Sequence, residues 1–286
     1  MSTEITTAFV DQFSANVQML SQQMGSLLRN AVDVETVNGE KAFFDQVGSA
    51  AAVLRTTRHA DTPIVDTPHS RRMVTMADYE YGDLIDDQDK VRLLIDPTST
   101  YARAAAAAMG RAMDDVIITA FLGDAKTGKD GSTTTSFPAG NQIASGSGGL
   151  TIAKLVEAKQ KLDANSVDPS IPRYIVVSPK QISDLLNNTT VTSADFNTVR
   201  SLATGAIDSF VGFQFIVSNR LPVDGSSDRR VIAWAQDGMK VAIGKEPTSR
   251  IDERADKSYA TQVYYCQTLG ATRMEEAKVI EIKCSE

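Results

Sequence analysis

Residues 95–123 read IDPTSTYARAAAAAMGRAMDDVIITAFLG. Asp96 can cap a helix and Pro97 suits the first helical position. Gly123 supplies the stop. The stretch therefore predicts a helix over 97–122, a rod roughly 39 Å long at 1.5 Å per residue. Tyr101, Ala105, Ala108, Ala112, Val116 and Ala120 recur along one side, mostly small, so a sheet or a second helix can approach closely there. The helix also decides how GDAKTGKDG, residues 123–131, is read. A phosphate-binding loop follows a strand, ends in Gly-Lys-Ser/Thr and opens a helix whose amino end holds the phosphates. Here the segment follows a helix, carries Asp130 where the hydroxyl belongs, and runs into the Gly-, Ser- and Thr-rich loop 132–149. Nucleotide binding is the disfavoured reading.

Upstream of the helix, 41–57 (KAFFDQVGSAAAVLRTT) and 71–86 (RRMVTMADYEYGDLID) have β-branched and aromatic residues without helix caps. Between them Pro63 and Pro68 forbid helix and suit an exposed turn. Together they predict a long two-stranded excursion, marginal in water unless it lies against something else. Farther upstream, Phe9, Phe13, Val17, Leu20, Met24 and Leu27 fall at steps of three and four, a helical stripe opposite a Gln, Ser and Asn face. That pattern fits a helix packed on its own domain and equally an arm docked on another subunit.

Downstream the chain predicts a mixed α+β unit over about 150–245: a helix at 151–165 capped by Thr151, a buried strand at 173–178, and a helix capped by Ser178 with Pro179 in its first turn. Strands follow at 210–219, 229–235 and 238–245. The alternating stretch 249–284 reads as strands that can return to pair with the extended segment before the long helix.

The 286 residues are 42% apolar, enough for a proper core, and no run spans a bilayer or forms a secretory leader. The formal charge of -7 argues against a groove built to grip nucleic acid. Cys266 and Cys284 lie in alternating apolar stretches and read as buried free thiols in a protein made in a cytoplasm. His59, Asp61, Asp66 and His69 gather in the hairpin tip, where little apolar content could fix a metal shell, so they read as solvated and no metal or cofactor is expected. The carboxylates Asp78, Glu80, Asp83, Asp86, Asp87 and Asp89 do not follow the EF-hand spacing and read as a solvated or subunit-facing acidic surface. The hairpin adds Arg55, Arg58, Arg71 and Arg72, which could lie over acid from a neighbouring copy and set register between subunits. Neither a nucleophile elbow nor a cysteine with a partner base is present, and Trp234 reads as core; nothing marks the chain as an enzyme.

This order of pieces resembles the Hong Kong 97 (HK97-like) fold of tailed-bacteriophage major capsid proteins, most specifically over 61–123, which is similar to the E-loop return and spine helix of phage coat proteins. The resemblance implies an α+β capsid fold: N-terminal arm 1–37, E-loop with flanking strands 38–86, P-domain spine helix and loop 87–149, A-domain 150–245, and returning P-domain strands 246–286. It implies pentamers and hexamers of an icosahedral head, located in the virion, with packaged double-stranded DNA as a weak, non-specific neighbour. A portal protein and, since the sequence runs from Met1 directly into the arm, a separate scaffold protein are the expected partners; a cement protein is left open. No covalent cross-link is expected, because no matched Lys, Asn and acid can be placed. Expected subunit contacts are Phe9, Phe13, Leu20, Met24, Arg58, Arg71, Arg72, Asp83, Asp86 and Asp87. An encapsulin nanocompartment shell shares the fold and is the alternative; a phosphate-binding enzyme using residues 123–129 is the distant one.

Overall fold

The computed structural model describes residues 21–59, 61–86, 98–146, 148–187 and 209–286. From Ser21 to Leu28 the chain is irregular, ending in a single 3-10 turn, Arg29–Ala31, before β1 (Asp33–Thr36). The helical stripe was expected to continue through Met24 and Leu27. Instead Gly25 takes φ +75°, and its backbone packs so closely on Gly110 that a side chain on Gly110 would force the two apart. Met24 is exposed and Leu28 is fully buried. Phe9, Phe13, Val17 and Leu20 lie outside the described residues.

The extended segments form a hairpin, but a shorter one than expected. β2 (Lys41–Val47) pairs antiparallel with β3 (His69–Thr75), from Lys41 opposite Thr75 to Val47 opposite His69. At Met76 the chain changes sheet: β4 (Ala77–Ile85) pairs elsewhere. Alternation explains the break, because Ala42, Phe44, Val74 and Met76 all point into one small core shared with Ala242.

Helix α1 spans Thr98–Leu122 and Gly123 follows it, its N–H bonded to Thr119 O at 2.8 Å. The length agrees with the sequence. Ala105, Ala107, Met109, Met113, Asp114, Ile117, Ile118 and Phe121 are buried, so of the small-residue stripe Ala105 is in the core while Ala108, Ala112, Val116 and Ala120 are only partly covered. Larger side chains bury more apolar area, so they take the core side and leave the small ones at a groove. After the helix, β5 (Ala125–Thr127) and β6 (Thr133–Thr135) make a tight hairpin that adds to β3, closing a sheet in the order β2-β3-β5-β6. Gly128 (φ +90°) and Gly131 (φ +68°) turn it. The imitation phosphate loop is thus strand, turn and strand, with its backbone spent on the sheet ladder.

The remaining elements build the main body. β7 (Gln142–Ile143), α2 (Ile152–Ala164), β8 (Arg173–Val177), α3 (Pro179–Leu186), β9 (Ser209–Phe210), β10 (Phe213–Val217), β11 (Asp228–Ala235), β12 (Met239–Arg254), β13 (Ala260–Arg273) and β14 (Val279–Ser285) follow in chain order. Thr151 accepts from the Lys154 N–H at the start of α2, and at α3 the Gln181 side chain accepts from the Ser178 N–H, as the cap residues imply. A six-stranded mixed sheet runs β7-β14-β11-β8-β10-β9. Val231 to Ala235 are buried without alternation, the mark of a strand covered on both faces. Trp234 is at the centre, its Nε1 donating to Ala31 O at 2.8 Å and its ring 4.7 Å from that of Phe121.

A second sheet runs β1-β12-β13-β4. The returning strands do pair with the extended segment before α1, Thr261 opposite Ile85 through Leu269 opposite Ala77. β12 does not stop near 245: it runs sixteen residues to Arg254, its first part in the body and its second in a projecting ribbon with β13 and β4.

Candidate functional site

Among the described residues no group of three or more His, Cys, Asp and Glu is placed to hold a metal, and no helix is long and apolar enough to cross a membrane. What the structure does offer is uncovered surface at the hairpin, the groove and the ribbon.

The hairpin tip carries the largest exposed apolar side chains. Every described residue from Val47 to Ser70 is exposed, with Leu54 at 84% and Ile64 at 94%, and Val53 and Val47 also well out in solvent. Scattered exposed apolar residues are ordinary, but several on one projecting element make it a candidate interaction surface. Arg58 and His59 are at this tip, as are Asp61 and Asp66, all exposed. Arg71 and Arg72 are not. They sit at the hairpin's base, where Arg71 is half-exposed and pairs with Asp45 at 2.5 Å, its cation also lying 5.4 Å from the Phe43 ring centroid. That pairing lowers the Asp45 carboxyl below its ordinary range.

Arg72 corrects the expectation that it faces a neighbour. It is buried, donating from Nε to Met274 O at 2.9 Å and from Nη2 to Glu276 Oε2 at 2.6 Å. On the other side of Glu276 lies Arg273, fully buried, which donates to Phe121 O at 2.7 Å and Gly123 O at 2.8 Å, satisfying the carbonyl end of α1. Burial pushes the Arg273 guanidinium down from its usual range, against the carboxylate of Glu276. The base of the hairpin, the end of α1 and the turn after β13 therefore share one buried charge cluster.

Beside that cluster, between α1, β3 and β13, lies a groove of about 570 Å³. Its floor is small and apolar: Ala112, Val116, Ala120, Gly270 and Ala271, with Tyr79 at one wall. At its rim Asp115 is paired with Arg220 through both guanidinium arms. The sequence did anticipate that this alanine-rich side permits close approach, and it is the open side.

The acidic stretch lies on β4, the edge strand of the second sheet. Asp78 accepts from Thr268 Oγ1 at 2.5 Å and Glu80 from Tyr264 OH at 2.8 Å, both exposed; Asp83 is partly covered and Asp86 exposed. Asp87 and Asp89 lie outside the described residues. The bond to Glu80 pushes the Tyr264 hydroxyl up to about 12. Neighbouring Cys266, expected to be buried, is partly exposed, with Lys245 Nζ 3.0 Å from its sulfur and Thr248 Oγ1 at 3.4 Å; bonds from these two lower its pKa. Cys284 is buried, and burial pushes its thiol up to about 11.

One anchor gave no sequence signal strong enough to single it out. Asp114, buried in mid-helix, accepts from Gln23 Nε2 and Ser26 Oγ, each at 2.5 Å, and from the backbone N–H groups of Leu27 and Leu28 at 3.1 and 3.2 Å. It fixes the point from which the N-terminal segment leaves α1. The clue available was a carboxylate beside Met113 and Ile117 on what proves to be the core side.

Residues 5–286 match the model of the family described as phage capsid protein. The chain belongs to the phage capsid protein family. Solved capsid structures agree over nearly the full length. The capsid of the cyanophage P-SCSP1u has a TM-score of 0.76 at 16% identity, covering 100% of this chain and 96% of that one. The structure titled Mycobacterium phage Che8 has a TM-score of 0.71 at 16% identity over 96% and 97% of the two chains. The capsid of a native GTA particle has a TM-score of 0.72 at 15% identity over 98% and 96%. A search of curated protein sequences finds no match. The fold is HK97-like, and the chain is a major capsid protein; neither the nanocompartment shell nor the nucleotide-binding enzyme is favoured.

Proposed function

We propose that this capsid protein is the repeating wall subunit of an icosahedral phage head, closing as pentamers and hexamers around double-stranded DNA, and that it works by assembly without catalysis. The hairpin tip carries the reading. Leu54 and Ile64 are 84% and 94% exposed, with little to pack on among the described residues. Covering one such side chain is worth about 1.5–3 kcal/mol, so several per copy, repeated around a ring, make association strongly favourable. The groove on α1 is an uncovered apolar surface of the same subunit and a suitable receiver for a neighbour's apolar side chains. Arg58 of the tip, Met24 of the N-terminal segment and the β4 acids Asp83 and Asp86 are subunit contacts in this proposal, with Phe9, Phe13, Leu20 and Asp87; Arg71 contributes from the hairpin base. Opposite charge across the contact would set register more than affinity. The net charge of -7 suits a wall that must not entangle packed DNA. A separate scaffold protein and a portal complete the expected assembly.

Electron microscopy of the purified, expressed protein tests this. Closed shells or rings of five and six copies are expected. A compact monomer at high concentration, alone and with the other head proteins, would overturn it. Shells that enclose a protein cargo in place of a genome would favour the nanocompartment instead.

A further inference from the structure

Lys154 is the third residue of α2, where the positive end of the helix disfavours a cation. Its ammonium nevertheless sits there, held by four backbone carbonyl oxygens: Ser145 O at 2.7 Å and Gly148 O, Gly149 O and Lys283 O each at 3.0 Å. An ammonium has three protons to donate, so four acceptors exceed what directed hydrogen bonds require. The arrangement is centred on charge. Convergent carbonyls at these distances are how proteins replace the water shell of a small monovalent cation. The four oxygens come from the loop before α2 and from β14, residues 145–149 and 283, so they converge only once the sheet has formed.

We infer that this oxygen cage is a monovalent-cation site, of the kind that takes potassium or ammonium, whose occupant in this protein is the tethered ammonium of Lys154. The occupant has a task. Gly148 O also accepts from the Ser285 N–H at 3.0 Å, and β7 pairs in parallel with β14 through Gln142 and Ile143. The clasp thus holds the loop against β14 and keeps β7 on the edge of the six-stranded sheet, where an open edge would invite pairing with other chains. Arginine could not serve, since its planar fork does not match oxygens that converge on one point.

The test compares purified Lys154→Ala with the native protein by thermal unfolding in potassium, ammonium and choline chloride at matched ionic strength. Native midpoints should not depend on which chloride is used. In choline the variant should melt roughly 5 °C lower, given a charged hydrogen-bonded group lost from a chain of this size. Potassium or ammonium should restore much of that loss with a saturating dose response. Equal midpoints for the variant in all three salts would refute the site, as would a Lys154→Met variant as stable as native, because that side chain fills the space without the charge. Should Lys154→Ala not fold, acetylation of the native protein decides: Lys154 should be modified far more slowly than exposed Lys126 and Lys257, and labelling at their rate would overturn the inference.

Discussion

Replacing Asp114 by alanine should release the N-terminal segment from α1 while leaving the helix in place. The magnitude follows from who loses a partner. Gln23 and Ser26 are near the surface and can turn to water, so they contribute little. The N–H of Leu28 cannot: Leu28 is fully buried and its amide donates to this carboxylate, whereas Leu27 is exposed enough for its N–H to find water. One buried donor left unpaired costs about 1–3 kcal/mol, and that is the expected loss. Local opening of 21–28 relieves that cost, so the loss should appear as fraying of this segment more than as global unfolding. Native-state hydrogen exchange is the assay. Protection at the Leu28 amide should fall roughly ten- to a hundredfold, and less at Leu27, since every 1.4 kcal/mol is a factor of ten. Protection at Ile117 and Ile118, inside α1, should change far less. Asp114→Asn should lie between, keeping one acceptor oxygen and turning an amide donor towards the others. Unchanged protection at Leu27 and Leu28 in Asp114→Ala, with α1 intact, would refute the assignment of Asp114 as the anchor.

Other outcomes are expected. Leu54→Asp with Ile64→Asp should leave the melting point of the subunit within about 1 °C, because both side chains already face water, yet abolish shells in the electron microscope; normal shells would remove the tip from the contact. Arg72→Glu should destabilise by about 3–5 kcal/mol in urea unfolding, since it sets a buried carboxylate beside the part-buried Glu276. Arg71→Glu, at an exposed pair, should cost under about 1 kcal/mol, so any assembly defect it shows comes from the contact itself. The two cysteines should separate in a thiol-labelling experiment near pH 8: Cys266 reacts in the native fold and Cys284 only on unfolding. The Cys284 thiol rises from 9.0 to about 11 on folding, so it stabilises below about pH 9 and that contribution is lost as pH climbs towards 11; urea midpoints for Cys284→Ala and native protein should therefore converge over that window.

Local signals in the sequence were read well. Gly123 bounded α1 at its carboxyl end, and Thr151, Ser178 and Pro179 placed α2 and α3, because caps act within one turn. What failed was whatever depends on distant partners. The alanine stripe was legible as a side of close approach; that Met113, Ile117 and Phe121, with the larger area to bury, would take the core was not. Met24 and Leu27 fitted a helix until Gly25 met Gly110, a contact 85 residues away in the chain that no spacing rule reports. Arg71 and Arg72 looked alike side by side, but strand alternation sends one outward and one to Glu276. The hairpin was legible as a proline-bearing excursion that needs something to lie against, but its exposed Leu54 and Ile64 were not singled out, because the tip reads as poor in apolar residues.

The position of β14 has a consequence for how the subunit is made. Residues 279–285 are inserted between β7 and β11, and Arg273, just before them, closes α1, so the middle of the body waits for segments that leave the ribosome after the hairpin, the helices and the other strands. A nascent chain can display its sticky hairpin long before it owns a finished core. Translation order alone thus sets a window in which stray polypeptides could be captured prematurely, and a chaperone that shields the hairpin during that interval would raise the yield of competent subunits.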